Sequence, residues 1–312
     1  MSFSDPTIEL RINQVKTILP ESLRHPAVIS ILLLSLAEDL HPDANFQDLW
    51  STELSSGDIT SQATISPDTW LEGQISSKAS GVIAGLPVIQ ALCLLVDPQI
   101  ACKSYLQEGF SVQPGSTIAQ VSGLGTAVLA VERTMLNFLG RMSGIATLTR
   151  KYVKAVADTN VVILDTRKTA PGLRYLDKYA VKVGGGQNHR TGLFDMVMIK
   201  DNHIDGSGGI VEAVSRVRQK FGKRYKIEVE VKNLEELATA LSLEVDRIML
   251  DNMDLNMLRM AVQITGKRTP LEASGNVTLS NIADIAATGV DYISSGALTH
   301  SVPVLDISMR LR

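Results

Sequence analysis

From Val161 onward, short apolar runs rich in β-branched residues alternate with stretches whose apolar positions recur at helical spacing. VVILDT, AVKVGG, MVMIK, YKIEVEV, RIMLDN, LEASGN and DYISSG have the length and composition of strands. Between them GGIVEAVSRVRQKF, NLEELATALSLE, LNMLRMAVQI and SNIADIAATG have helical length, and Asn233 with Glu236 fits a helix N-cap with a glutamate reaching back. This alternation predicts βαβ units, hence a parallel sheet covered by helices. Strand after strand ends in a polar or charged residue: Arg167 and Lys168, Lys200, Glu230, Asp251, Ser274, then Ser295. In an α/β barrel such ends converge on one mouth. A doubly wound open sheet is the alternative, but it gives no reason for so many ends to carry chemistry.

Upstream the rhythm changes. WLEGQISSK, GVIAGL, ACKSYL and GSTIAQV read as short strands separated by Gly and Pro turns, which predicts an α+β domain. A helical stretch from Thr126 to about Ala157 bridges the two regions, with an interruption expected at Ser143 and Gly144, where helix propensity drops. No internal repeat or low-complexity segment is visible.

Length then fits two domains or one large α/β unit, since 312 residues exceed one small core. Hydrophobic residues at 45% and charged ones at 20% suit a folded soluble chain rather than a disordered one. A formal net charge of -3 removes the electrostatic footprint of nucleic-acid or anionic-membrane binding, so neither partner is expected. Any basic site must be local. Cys93 and Cys102 lack metal-ligand spacing and would form a poor disulfide framework, so a reducing cytoplasm is expected. Acidic Asp5 and Glu9 interrupt the N-terminus, and ISILLLSLA and ALCLLV are too short to span a bilayer.

Local basicity peaks between Asp165 and His203, where Arg167, Lys168, Arg174, Lys178, Lys182, Arg190 and Lys200 face only four aspartates. Arginine forks and lysine point charges are the inventory for a small polyanion. Lys178 and Lys182 are read as solvated helix positions, whereas Arg167, Lys168 and Lys200 follow apolar strand runs. His189, alone, is compatible with an ordinary hydrogen-bonded histidine. GGGQNH approaches a dinucleotide fingerprint, but His189 stands where its last glycine belongs. Glu230 and Asp251 end successive strands, where carboxylates hold Mg2+ or ribose hydroxyls, or else pair with Arg or Lys. SGN at Ser274–Asn276 and SSG at Ser294–Gly296 follow the last two strands, where barrels place phosphate. No HExxH, Cys/His cluster or calcium loop occurs, which excludes the common zinc and calcium sites.

The stretches GDITS, GVIAGLPV, ERTMLNFLGRMSGIAT, LDTRKTAPGLR, DKYAVKVGGGQNHR, MIKDNHI, IEVEV, MLDNM, ASGN and ISSGALTHS, in order from about residue 55 to the end, resemble quinolinate phosphoribosyltransferases, the type II phosphoribosyltransferase family. That resemblance implies an incomplete, seven-stranded α/β barrel at 138–300. It also implies an N-terminal α/β sandwich domain at 1–137, joined by the tail 301–312. It implies transfer from phosphoribosyl pyrophosphate to quinolinate with decarboxylation, giving nicotinate mononucleotide for NAD synthesis. A homodimer or a larger assembly of dimers is implied, its active sites shared through Arg133 in trans. Thr166, Arg167, His189 and Arg190 are implied as substrate-binding residues, with Lys168 and Lys200 facing negative charge. Glu230 and Asp251 are implied at the ribose and at Mg2+, directly or through water, and Ser274, Gly275, Ser295 and Gly296 at phosphate. Lys168, Lys200, Glu230 and Asp251 form the implied catalytic set. One departure is a longer link, LHPDANFQDLWSTELSSGDIT, between AEDL and GDIT.

Three other readings stay open on the residues alone. A paralogue of the same fold could act on another ring, such as nicotinate. A barrel lyase or isomerase could use Lys200 as a Schiff-base amine. A noncatalytic metabolite-binding protein would keep the basic pocket but needs neither Glu230 nor Asp251.

Overall fold

The computed structural model describes residues 6–41 and 57–311, with side chains from Leu10 onward. Most of the longer link, residues 42–56, lies outside the described residues, as do Asp5, the Glu9 side chain and Arg312. In chain order the first elements are α1 (Pro6–Ile18), α2 (Pro26–Leu40), α3 (Ile59–Thr64), β1 (Trp70–Ser77), β2 (Gly81–Val82), α4 (Leu86–Val96), β3 (Ala101–Ser104), β4 (Ser111–Val112), β5 (Thr117–Leu124) and α5 (Gly125–Ala155). Then come β6 (Val162–Leu164), α6 (Arg174–Gly184), β7 (Val197–Ile199), α7 (Asp201–Ser207), α8 (Ile210–Phe221), β8 (Ile227–Val231) and α9 (Leu234–Ser242). The chain closes with β9 (Arg247–Asp251), α10 (Leu255–Thr265), β10 (Leu271–Ser274), α11 (Ile282–Ala286), β11 (Tyr292–Ser294), α12 (Ala297–His300) and β12 (Ile307–Leu311).

Two compact units share this chain. The first takes residues up to Thr147, Ala170–Gly184 and those from Val302 on; the second takes Leu148–Thr169 and Gly185–Ser301. Their division differs from the 137/138 and 300/301 boundaries expected, because α5 is carried ten residues further into the first unit and α6 returns to it.

In the first unit an antiparallel sheet has the order β12-β1-β5-β3, and the tail strand β12 pairs with β1 from Gly73↔Leu311 to Ser77↔Ile307. Alternation along β5 buries Val121 and Gly123 on one face, as a half-buried strand requires. Helix α2 buries Val28, Ile29, Leu32, Leu33, Leu36 and Leu40, the stripe that its apolar run dictates. No helix of the described residues is long and apolar enough to cross a membrane. Helix α5 runs unbroken through Ser143 and Gly144, which corrects the expected interruption. Packing explains both residues. A Cβ on Gly144 would lie 2.3 Å from the Pro303 carbonyl oxygen, and Ser143 Oγ accepts a 3.0 Å bond from the Ala84 N–H. Close approach of the tail and a satisfied buried amide outweigh the propensity loss of about 1 kcal/mol for one glycine.

The second unit is built on a parallel sheet of six strands, β6-β11-β10-β9-β8-β7, rather than the seven expected. The missing strand is AVKVGG, whose first five residues form the end of α6. Its residues Leu176, Ala180, Val181 and Gly184 are buried at helical spacing, so a short β-branched run concealed an amphipathic helix. Lys178 is also buried there, at 4% exposure, and is not the solvated position expected; Lys182 is exposed. Gly185, at φ +99°, follows the helix end in the left-handed conformation that closes helices. Gln187 then makes one parallel bridge to Leu164, and no helix follows it before β7. The GGG run therefore ends a helix and carries no dinucleotide fingerprint. All five residues of β8 are buried, as in a strand covered on both faces.

Candidate active site

Strand pleating decides which side chains meet. Met198 and Lys200, Glu230, Met249 and Asp251, Ser274 and Ser294 alternate along their strands onto one face and line one cavity of about 670 Å3 in the second unit. The loops beyond the strands add Thr166, Arg167, Lys168, Gly275, Ser295 and Gly296, and His189 with Arg190 complete its wall. Every expected site residue except Arg133 is therefore gathered in one place. Arg133 is exposed on α5 in the first unit and does not line this cavity.

The cationic wall is held by backbone contacts and buried acids. Thr299 Oγ1 donates to the Lys168 carbonyl at 2.9 Å, fixing the loop after β6. Asp165, fully buried at the end of that strand, accepts from the His189 N–H at 2.9 Å and from Asn188 Nδ2 at 2.5 Å. Arg190 donates through Nη1 to the Met196 carbonyl at 3.2 Å. Burial and the neighbouring Arg167 charge both lower its pKa, so the two guanidinia sit close enough to repel. An anion between them relieves that repulsion.

Lys200 Nζ lies 2.5 Å from Glu230 Oε2, at relative exposures of 40% and 9%. The salt-bridge alternative for Glu230 is thus realised, while Asp251 accepts from the Asn252 amide at 2.9 Å. A Schiff-base lysine is activated by desolvation in an apolar pocket, whereas Lys200 is half-exposed and held by a carboxylate.

At the phosphate end, Gly275 has φ +100°, and a Cβ there would lie 2.2 Å from Asn252 Oδ1. Asn252 and Asn276 themselves have φ +52° and +49°, and Asn276 Nδ2 donates to Asn252 Oδ1 at 3.2 Å. Two loops thereby interlock with backbone exposed to the cavity. A Cβ on Gly296 would come within 2.9 Å of Lys168 Cδ and of His300 Cδ2. His300 and Asn252 also line the cavity and were missed in the sequence reading, although both stand inside the motifs GALTH and LDNM.

His189 is buried beside two carboxylates, with Nε2 2.9 Å from Glu228 Oε2 and 3.4 Å from Glu272 Oε2. Burial alone would lower the imidazole pKa, but the contacts and charges of Glu228 and Glu272 outweigh it and push it up to about 9. The Arg190 N–H points at Nδ1 from 2.7 Å, an arrangement that suits a neutral ring. The two carboxylate charges beside Nε2 favour the protonated ring electrostatically.

Comparison with known proteins agrees with this arrangement. Residues 58–143 match the family model described as quinolinate phosphoribosyl transferase, N-terminal domain, and residues 145–310 match the C-terminal domain of the same family. The chain is 42% identical over 301 residues to quinolinate phosphoribosyltransferase [decarboxylating] 2b, mitochondrial, of Nicotiana tabacum, covering 89% of this chain and 85% of the relative. It is 47% identical over 238 residues to a probable nicotinate-nucleotide pyrophosphorylase [carboxylating] of Synechocystis, covering 75% and 81%. The crystal structure of NadC from Streptococcus pyogenes superposes with a TM-score of 0.84 at 36% identity, covering 91% of this chain and 96% of that one. With both domain models matched in order and the strand-end residues gathered around one polyanion-sized cavity, the chain belongs to the quinolinate phosphoribosyltransferase family.

Proposed function

We propose that the cavity transfers the phosphoribosyl group of phosphoribosyl pyrophosphate to quinolinate and decarboxylates the adduct, giving nicotinate mononucleotide, pyrophosphate and CO2 for NAD biosynthesis. The observation that carries this reading is one cavity lined by Arg167, Lys168, His189, Arg190 and Lys200 together with Glu230, Asp251 and two glycine loops. Five cationic groups suit a dicarboxylate and a pyrophosphate, and the two acids suit a sugar that acquires positive charge. As the bond from ribose C1 to pyrophosphate breaks, oxocarbenium character develops there, which fixed carboxylates stabilise while Lys168 and Lys200 neutralise the departing oxygens. The quinolinate nitrogen bonds to C1 and becomes a pyridinium cation. Its neighbouring carboxylate then leaves as CO2, and the electron pair remains on the ring carbon beside that cation until the carbon takes a proton. Incubation of the purified chain with quinolinate and phosphoribosyl pyrophosphate should release CO2 and form a pyridine nucleotide. Nucleotide formed from nicotinate without CO2 would favour the paralogue reading instead.

Arg167→Lys should damage quinolinate use more than its conserved charge suggests, because an ammonium cannot reproduce a planar bidentate fork. Loss of one charge-assisted contact is about 1.5–3 kcal/mol, more than about tenfold in kcat/KM for quinolinate. Unchanged quinolinate kinetics in the folded variant would remove Arg167 from the site.

Magnesium fits the acidic end. Glu230 commits Oε2 to Lys200 and Asp251 commits Oδ2 to Asn252, which leaves each an oxygen for an ion held directly or through water. A bound Mg2+ supplies charge neutralisation to phosphate oxygens. Turnover should accordingly vanish on exhaustive chelation and return with Mg2+ but need no zinc; full activity in excess chelator would exclude the ion.

The same cavity supports reading the sheet as an incomplete barrel. In a flat six-stranded sheet the edges β6 and β7 stand about 24 Å apart. Residues following both edges line one cavity, which supports a sheet curved round it with the Gln187 bridge in place of a seventh strand.

A further inference from the structure

Below the cavity floor, four strands carry polar side chains that the chemistry above leaves unused. Glu228 on β8 and Glu272 on β10 are fully buried, each two residues before a cavity-lining residue, Glu230 and Ser274. The period of two puts them on the same inward face, one layer deeper. Arg247 on β9 stands between them: it pairs in register with Glu228, its Nη1 reaches Glu272 Oε2 at 2.9 Å, and its guanidinium lies 4.1 Å over the Tyr292 ring of β11. Buried carboxylates are costly unless matched by cations. Here Arg247 reaches both, Glu272 at 2.9 Å and Glu228 at 4.0 Å, and His189 stands over both.

We propose that Glu228 and Glu272 are positioning residues that grip the His189 imidazole by Nε2 from beneath the cavity and present it, in one orientation and with one charge, to the carboxylates of quinolinate. This rests on the quinolinate reading of the cavity. The pair touches no substrate; it acts through His189. Burial raises the Glu228 pKa while the His189 contact and charge oppose that shift; with both acids ionised and the ring protonated, the charges of the four groups sum to zero and the layer lends the cavity wall a cation. His189, Glu228 and Glu272 also bring ligand atoms within 4.8 Å of one another, the spacing of a metal site. Arg247 on Glu272 already supplies the cation that an ion would bring, which argues for the imidazolium instead. The charged groups facing the ring are Glu228, Glu272 and Arg247 from the sheet, with Asp165 and Arg190 beside its backbone.

The test is steady-state kinetics of the full chain with Glu272→Gln, His189→Gln and the double variant. Glu272→Gln should raise the quinolinate KM about tenfold or more, leave the phosphoribosyl pyrophosphate KM unchanged and alter kcat less than about threefold. On the His189→Gln background the same change should have no further effect on the quinolinate KM. In the wild type the ring loses its proton as pH rises through about 9, and the quinolinate KM should climb there; in Glu272→Gln that rise should begin at lower pH. If Glu272→Gln does not fold, 15N-histidine spectra of the wild type decide, because a His189 midpoint near the ordinary value of about 6.5 overturns the proposal. An unchanged quinolinate KM in a folded Glu272→Gln overturns it too, as does a stoichiometric metal ion that leaves with Glu272. Absence of any quinolinate turnover by the wild type would instead overturn the substrate reading, and this inference with it.

Discussion

Lys200→Ala is expected to lower kcat/KM by about 10²–10³-fold, the usual consequence of deleting a group that stabilises charge developing in the transition state. Two effects add. The cavity loses an ammonium that faces the anionic substrates, and Glu230, only 9% exposed at its side chain, loses the cation 2.5 Å from its carboxylate. An uncompensated acid in that wall repels pyrophosphate as well as quinolinate. The double variant Lys200→Ala, Glu230→Gln separates the two, since it removes the orphaned charge and should recover thermal stability without recovering turnover. Borohydride trapping with substrate should label neither the wild type nor any variant. A Lys200→Ala enzyme within about threefold of wild-type kcat/KM would exclude the ammonium from the chemistry.

The strand ends were legible because each is an apolar run followed by one polar residue, a pattern that a buried parallel strand produces whenever its last inward position meets a cavity. Lys200 and Asp251 carry that signature, Glu230 stands at the end of the alternating run IEVEV, and all three line the cavity. The layer beneath was illegible for a related reason: Glu228 and Glu272 sit inside β8 and β10, where their pairing with His189 and Arg247 depends on contacts far apart in sequence. A signal was nonetheless present in IEVEV, where period two puts Glu228 on the face of Glu230. AVKVGG misled because six residues cannot separate a strand from the end of a helix; only the longer stripe from Leu176 decides. Lys178 shows the same limit, since one lysine's burial is set by what packs over its helix.

Arg133 is expected to act in trans in a homodimer with shared active sites. Arg133, Asn137 and Arg141 follow one another at i, i+4 and i+8 along α5, a single helix face. Arg141 is committed, with Nε and Nη2 donating to Asp177 at 2.9 and 2.7 Å, so its role is structural. Arg133 is exposed, and among the described residues its guanidinium makes no hydrogen bond or ion pair, which leaves a cation available to a second copy. Mixing inactive Arg133→Ala with inactive Lys200→Ala under conditions that exchange subunits tests this directly. With trans sharing, one site of each mixed dimer collects both lesions and the other collects neither, so about half of the dimers regain one intact site when exchange is random. With Arg133 acting in cis, every site keeps one lesion and the mixture stays inactive. Mass spectrometry establishes whether mixed dimers formed. Their presence without any recovery of turnover would sink trans sharing while leaving the proposed reaction untouched, because the cavity residues that carry that reaction all belong to one chain.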